Sequence, residues 1–234
     1  MATSRWMRRK SRARALAVVA ILVGATALGG LAARLGGTGP TCPSRAAAVV
    51  LDPGHGGADP GAVNDAAGLV ERDLVLAIAR RTAALLRAAG YPVALTHDGG
   101  GATLGNTARG RIANACRARV FVSIHLNSFG EPDPNYAKTF WGAAEKDLAF
   151  AAALQAVLAA DLAPGTNLGD GGTEQLENGG LLAARMPAAL VEPVFLSNPE
   201  EAARLAHPDG RRREQIARAI AAGVSEWLRA QAVP

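Results

Sequence analysis

The segment AAAVVLDPGHGG, residues 46–57, carries a short apolar run that stops at Asp52-Pro53-Gly54. A continuous apolar run bounded by turn residues is typical of a strand buried on both faces, so we predict a strand over residues 46–51. Comparable runs follow at 91–96 (YPVALT), 120–126 (VFVSIHL) and 188–196 (AALVEPVFL). Pro193 lies within the last run, where it indicates an edge, a bend or a strand end.

Apolar residues at helical spacing separate these runs. The predicted helices cover residues 71–89, 107–118, 147–162, about 199–206 and 210–230. The glycine-rich residues 163–180 are predicted to form a loop. Because strands alternate with helices, we expect residues 46–234 to form a single three-layer α/β domain. Its mostly parallel central sheet would have about six strands, with helices on both faces.

Ionisable side chains stand where predicted strands end and helices begin, and these are His55, Glu71, His125 and Glu192. The carboxyl ends of parallel strands meet at one edge of a sheet, where α/β proteins place their sites. Two histidines and a carboxylate would hold zinc with an open position for water, and a second carboxylate would handle the proton. The histidines and Glu71 also have a structural explanation, since core histidines are common and a glutamate favours a helix start. Glu192 in an apolar strand is harder to explain in this way, because an unpaired buried carboxylate is costly. Spacing alone leaves both interpretations open.

The first 45 residues differ in composition from the rest. They hold eight of the 25 basic residues and none of the 20 acidic ones, which leaves the body with a net charge of −3. Basic residues 5–14 precede an uncharged stretch at 15–33, as in a secretory signal or an uncleaved membrane anchor. We therefore predict a signal peptide or anchor at 1–33, a linker at 34–45 and a body outside the cytoplasm, in the periplasm or cell envelope.

Composition excludes several classes of protein. A content of 49% hydrophobic residues excludes a disordered chain, and 4% aromatic residues offer few surfaces on which nucleobases could stack. The basic excess belongs to the leader, so we expect no nucleic-acid binding. Two cysteines, Cys42 and Cys116, cannot form a disulfide-dense scaffold. Outside a reducing compartment they either pair with each other or remain two thiols.

Three segments of the chain together resemble a known family. They are VVLDPGHGGADPGAV (49–63), the stretch from Arg109 to VFVSIHLNS (120–128), and MPAALVEPVFLSNPEE (186–201). In this order and spacing they resemble the zinc-dependent N-acetylmuramoyl-L-alanine amidases, whose catalytic domain is α/β. The resemblance covers about residues 46–230.

The resemblance implies a role for each candidate residue. One zinc ion would be held by His55, Glu71 and His125, and Glu192 would be the catalytic carboxylate. Arg109 and Asn127 would contact the substrate. The family cleaves the amide bond between N-acetylmuramic acid and the L-alanine of the stem peptide, so peptidoglycan is the expected substrate. We expect a monomer, with residues 15–33 as the possible membrane tether.

One departure concerns the loop before the last strands, where many family members carry Asp-Arg-Gly. This chain has Asp170-Gly171-Gly172 instead. We therefore expect a basic contact with a carboxylated peptide to be missing, which affects substrate preference more than catalysis.

Two other functions fit the same site. A wall-binding or regulatory module could keep the fold without turnover, and a zinc peptidase could cut within the stem peptide. Metal content with turnover separates the first from an amidase, and the identity of the products separates the second.

Overall fold

The four apolar runs become adjacent strands in the computed structural model, which describes residues 42, 47–101, 103–130 and 134–232. They are β1 (Val49–Pro53), β4 (Val93–Leu95), β5 (Val120–Ile124) and β8 (Ala188–Glu192). These strands lie in the order β4-β1-β5-β8 and are all parallel. Their carboxyl ends therefore meet at one edge of the sheet, as the sequence predicts.

Two further strands extend this sheet beyond β8. Strand β6 (Tyr136–Trp141) runs antiparallel to β8, and β7 (Gly169–Gln175) runs parallel to β6. The predicted loop at 163–180 is therefore wrong for the residues of β7. None of the residues of β7 is buried, so its sequence, GDGGTEQ, needs no apolar face and carries no pattern typical of a strand. The predicted sheet of about six mostly parallel strands is confirmed.

The predicted helices form with small shifts at their ends. They are α1 (Glu71–Ala88), α2 (Asn106–Ala115), α3 (Glu145–Leu162), α5 (Pro199–Ala206) and α6 (Arg211–Ala230). The structure also contains elements that the sequence did not predict: a short helix, α4 (Gly179–Ala183), and a small hairpin of β2 (Val63–Asn64) and β3 (Leu69–Val70). The hairpin leads directly into α1.

Alternate residues of each buried strand enter two separate cores. Val49 and Leu51 join the core formed with α1, α3 and α6, whereas Val50 joins the core formed with α2 and α4. In β5 the same alternation places Val122 in the first core and Phe121 in the second. Strands buried on both faces need apolar residues at consecutive positions, which explains the unbroken runs in the sequence. Helices therefore cover both faces of the sheet, as predicted.

Pro193 ends the last strand of the sheet. The run at 188–196 suggested a longer strand, but β8 stops at Glu192. Since β8 lies between β5 and β6, a residue without an N–H group cannot extend its pairing. This strand end brings Glu192 to the same edge of the sheet as the loops that follow β1 and β5.

A disulfide joins Cys42 to Cys116, which follows α2 directly. Of the two pairing states that the sequence left open, the structure has the bonded one. Apart from Cys42, the predicted leader (1–33) and linker (34–45) lie outside the described residues. Within the described part of the chain, none of the helices has the length and apolarity needed to cross a membrane.

We expect the Cys42→Ser variant to be less stable than the native chain. The disulfide joins residues 74 positions apart, so removing it should lower the free energy of unfolding by about 4 kcal/mol through chain entropy. Urea unfolding of both proteins, with and without reductant, measures this difference. An unfolding midpoint that neither the substitution nor the reductant changes would contradict the prediction.

Candidate metal centre

Three predicted ligands converge at the carboxyl edge of the sheet. His55 Nε2 lies 2.9 Å from Glu71 Oε1, His125 Nδ1 lies 3.1 Å from the same oxygen, and the two ring nitrogens are 3.1 Å apart. His55 follows β1, Glu71 begins α1 and His125 follows β5. Residues separated by up to 70 positions therefore meet because two parallel strands end, and one helix begins, at the same place.

Glycines allow the two imidazole rings to approach the backbone. A Cβ atom at Gly54 would lie 2.3 Å from a carbon of the His125 ring, and one at Gly61 would lie 2.6 Å from the His55 ring. His55 itself has a φ of 62°, in the left-handed region that is unusual for a side chain of its size. Its backbone conformation turns the chain sharply after β1.

Glu71 is buried and makes contacts with both of its carboxylate oxygens. Oε2 accepts a hydrogen bond from the Ala62 N–H at 2.9 Å, and Oε1 accepts one from the Leu126 N–H at 3.0 Å. Burial alone would raise the pKa of this carboxyl, but the hydrogen bonds from His125, His55 and the Ala62 N–H hold it well below its usual range. Glu71 is therefore charged across the physiological pH range.

Asp59 orients His55, a role that the sequence analysis did not assign. Its Oδ2 lies 3.0 Å from His55 Nδ1, and its Oδ1 accepts a hydrogen bond from the Gly61 N–H. When His55 Nδ1 donates to this carboxylate, Nε2 keeps its lone pair for a metal ion. The signal was present, because Asp59 lies four residues after His55 within the first family segment.

The cluster fits zinc. The nearest donor atoms are 2.9–3.1 Å apart, close to the roughly 3.3 Å that separates the ligands of a tetrahedral zinc ion. Two imidazole nitrogens and one carboxylate oxygen are a donor set that zinc accepts, and it leaves a fourth position open. His55, Glu71 and His125 are the described residues whose donor atoms are grouped closely enough to hold such an ion.

Glu192 stands beside this cluster without belonging to it. The backbone N–H of His125 donates to the Val191 carbonyl oxygen at 3.0 Å. His125 and Glu192 therefore lie next to each other at the ends of the paired strands β5 and β8. Burial raises the pKa of Glu192 to about 7, with the charge of Glu71 adding to the rise and His125 and Lys138 opposing it. A carboxyl group with this pKa can both accept and release a proton near neutral pH.

The two predicted substrate contacts occupy different environments. Arg109 is 4% exposed and donates to Asp52 Oδ1 and to the carbonyl oxygens of Pro53, His55 and Leu104. Through these hydrogen bonds it holds the backbone of the loop that follows β1. The side chain of Asn127 is partly exposed beside the site and accepts a hydrogen bond from the Ser128 N–H. Of the two, Asn127 has the more accessible side chain.

The chain matches a known family over most of the body. A family model described as N-acetylmuramoyl-L-alanine amidase matches residues 49–226. The chain is 34% identical over 223 residues to N-acetylmuramoyl-L-alanine amidase AmiC of Neisseria meningitidis serogroup B. That alignment covers 77% of this chain and 52% of the Neisseria protein, so the chain spans about half the length of this relative.

Solved structures share the fold. The amidase AmiC2 of Nostoc punctiforme is 33% identical, with a TM-score of 0.69 and coverage of 77% of this chain and 96% of its own. The catalytic domain of the amidase CwlV from Bacillus (Paenibacillus) polymyxa is 34% identical, with a TM-score of 0.68 and coverage of 77% and 97%.

We expect Gly61→Ala to weaken zinc binding by about tenfold or more, because the new methyl group would collide with His55 and Glu71. Gly68→Ala is the matched control. Gly68 has a nearly identical φ, 64° against 66°, but nothing within 4 Å of the added Cβ. Titration of zinc into metal-free protein with a competing chelator measures both affinities. Equal zinc affinities for the two variants would contradict this account of the site.

The raised pKa of Glu192 predicts a pH-dependent loss of stability in the metal-free protein. Its folded pKa, about 7, exceeds the ordinary 4.5, so the folded state holds the proton more tightly. The resulting stabilisation is complete below pH 4.5 and is lost as the pH rises through 7. The loss is roughly 3 kcal/mol.

Glu192→Gln should abolish this loss, since an amide does not titrate. We expect the free energy of unfolding of Glu192→Gln minus that of the native chain to be roughly 3 kcal/mol larger at about pH 8 than at about pH 4.5. Urea unfolding in the presence of a chelator measures it. A difference between the two proteins that is the same at both pH values would show that Glu192 has an ordinary pKa.

Proposed function

Because this chain belongs to the N-acetylmuramoyl-L-alanine amidase family, we propose that it is a peptidoglycan hydrolase. Its substrate is the amide bond between N-acetylmuramic acid and the L-alanine of the stem peptide. The observation that carries the proposal is the meeting of His55, Glu71 and His125 at one point, with Glu192 beside them on the neighbouring strand. A hydrolase of this kind needs a metal position and a separate carboxylate, and the described residues supply candidates for both.

His55, Glu71 and His125 would hold one zinc ion, and Glu192 would move the proton. When bound, the ion supplies Lewis acidity that polarises the scissile carbonyl and lowers the pKa of water. Glu192 accepts a proton from the attacking water and delivers it to the nitrogen of the departing L-alanine. Its raised pKa suits this exchange, because the carboxylate must gain and lose the same proton in each cycle.

The surrounding residues keep these groups in place. Asp59 orients the His55 ring, and the buried guanidinium of Arg109 fixes the carbonyl oxygens of Pro53 and His55. We therefore assign Arg109 a positioning role and keep Asn127 as the substrate contact. A residue that positions a ligand influences metal affinity and rate without touching the substrate.

We further propose that the chain acts outside the cytoplasm as a monomer, with residues 1–33 as its signal peptide or membrane anchor. The basic and apolar composition of the leader supports this location. The disulfide between Cys42 and Cys116 supports it independently, since such bonds persist in oxidising compartments.

The identity of the products tests this function. We expect zinc-loaded protein incubated with peptidoglycan to release stem peptides that begin with L-alanine. Mass spectrometry of the soluble products identifies them. Glu192→Gln should keep zinc but lower kcat by about 10²–10⁴-fold, because it removes the proton acceptor. Glu226→Gln, which changes an exposed glutamate on α6, serves as the control and should retain full activity.

Two other outcomes of this experiment would contradict the proposal. Fragments cut within the stem peptide would make the protein a zinc peptidase. Zinc bound by the three ligands with no soluble product would favour a wall-binding or regulatory module.

A further inference from the structure

A lysine lies beside the proposed catalytic carboxylate on the next strand. In the antiparallel pairing of β6 and β8, Lys138 stands directly opposite Glu192. Residues opposite each other in such a pair project from the same face of the sheet, with Cβ atoms about 5 Å apart. Lys138 therefore shares the face on which Glu192 acts, although the sequence analysis did not single it out.

Two aromatic rings lie close to the ammonium group of Lys138 and leave it partly exposed. Tyr136 and Phe140 lie on the same face of β6, and the Lys138 Nζ is 5.7 Å and 5.8 Å from their ring centroids. The Tyr136 ring packs in turn against Phe195. Ala137 and Thr139 point to the opposite, buried face. With two rings beside it and 20% of its side chain exposed, the lysine presents an ammonium group at the surface of the site.

The geometry also explains the departure at Gly171, where many family members carry arginine. A Cβ atom at Gly171 would lie 2.4 Å from the Tyr136 ring and 2.9 Å from the Ala137 carbonyl oxygen. A side chain from β7 therefore cannot enter the space that Tyr136 fills. Lys138, whose ammonium lies close to the same ring, brings a positive charge to this face from the adjacent strand.

The present partner of Lys138 is exchangeable. Its Nζ donates to Glu174 Oε2 at 2.6 Å, but 59% of the Glu174 side chain is exposed to solvent. An ion pair with one partner this exposed contributes little to stability, so a competing anion can replace it. The hydrogen bond and charge of Glu174 raise the pKa of Lys138, which keeps the lysine positively charged.

We propose that Lys138 binds a carboxylate of the stem peptide while the bond to L-alanine is cleaved, and that this carboxylate replaces Glu174. The inference rests on the proposed function, whose substrate carries a free carboxylate on the residue after L-alanine unless that group is amidated. Lys138 is thus a specificity-determining residue that supplies from β6 the basic contact missing at Gly171.

The test compares two substrates that differ in this group alone, N-acetylmuramoyl-L-alanyl-γ-D-glutamyl-L-lysinamide and its D-isoglutamine counterpart. In both of them the γ-carboxyl group of the second residue is already an amide. We expect the native protein to favour the carboxylate form in kcat/KM by roughly tenfold, the usual size of a hydrogen bond to a charged group. Lys138→Met should lose this preference by raising KM for the carboxylate form alone, whereas Lys138→Arg should retain it. Glu174→Gln should lower KM for the same form, because it removes the competing carboxylate.

A role through Glu192 would give a different result. If Lys138→Met slowed both substrates equally, or changed neither, the inference would be overturned while cleavage by the native protein left the proposed function standing. Calorimetric titration of both compounds into zinc-loaded Glu192→Gln protein, with and without Lys138→Met, measures binding without turnover. If the carboxylate form bound only when Lys138 was present, but the native protein cleaved neither compound, the proposed function would be overturned and the role of Lys138 in binding would stand.

Discussion

The carboxylate of Glu71 is the interaction on which the rest of the site depends. One oxygen meets both histidine rings and the Leu126 N–H, and the other accepts the Ala62 N–H. These contacts join the start of α1 to the loops that follow β1 and β5. Without a charge at this point, the two histidine rings would lose the carboxylate that both of them contact. A metal ion placed there would use a geometry that hydrogen bonds already maintain.

Two carboxyl groups in the same site have opposite electrostatic environments. Hydrogen bonds from histidines and backbone amides keep Glu71 ionised despite its burial, whereas burial without comparable donors raises the pKa of Glu192 to about 7. A group that stays charged suits a metal ligand, and a group that titrates near neutrality suits proton transfer. The proposed division of roles follows from position, because Glu71 starts a helix beside two loops and Glu192 ends a strand just before Pro193.

The sequence was informative where burial dictated residue type. Strands covered on both faces require unbroken apolar runs, so β1, β5 and β8 and the site residues at their ends could be predicted. Strand β7 could not, because a glycine-rich edge strand without buried residues carries no such pattern. The burial of Arg109 also escaped prediction, since only the fold reveals that the guanidinium meets Asp52 beneath the loop. The place of Lys138 beside Glu192 could not be predicted either, because it depends on the strand register that pairs two residues 54 positions apart.

X-ray diffraction from crystals of the zinc-loaded protein, recorded at the zinc absorption edge, would show which of the two carboxylates binds the metal ion. We predict one anomalous peak about 2.0–2.2 Å from His55 Nε2, His125 Nδ1 and a Glu71 oxygen. Glu192 should lie outside the coordination shell with its carboxyl group facing the open position. A peak elsewhere, or one in which Glu192 replaces Glu71 as a ligand, would contradict the assignment of the two carboxylates.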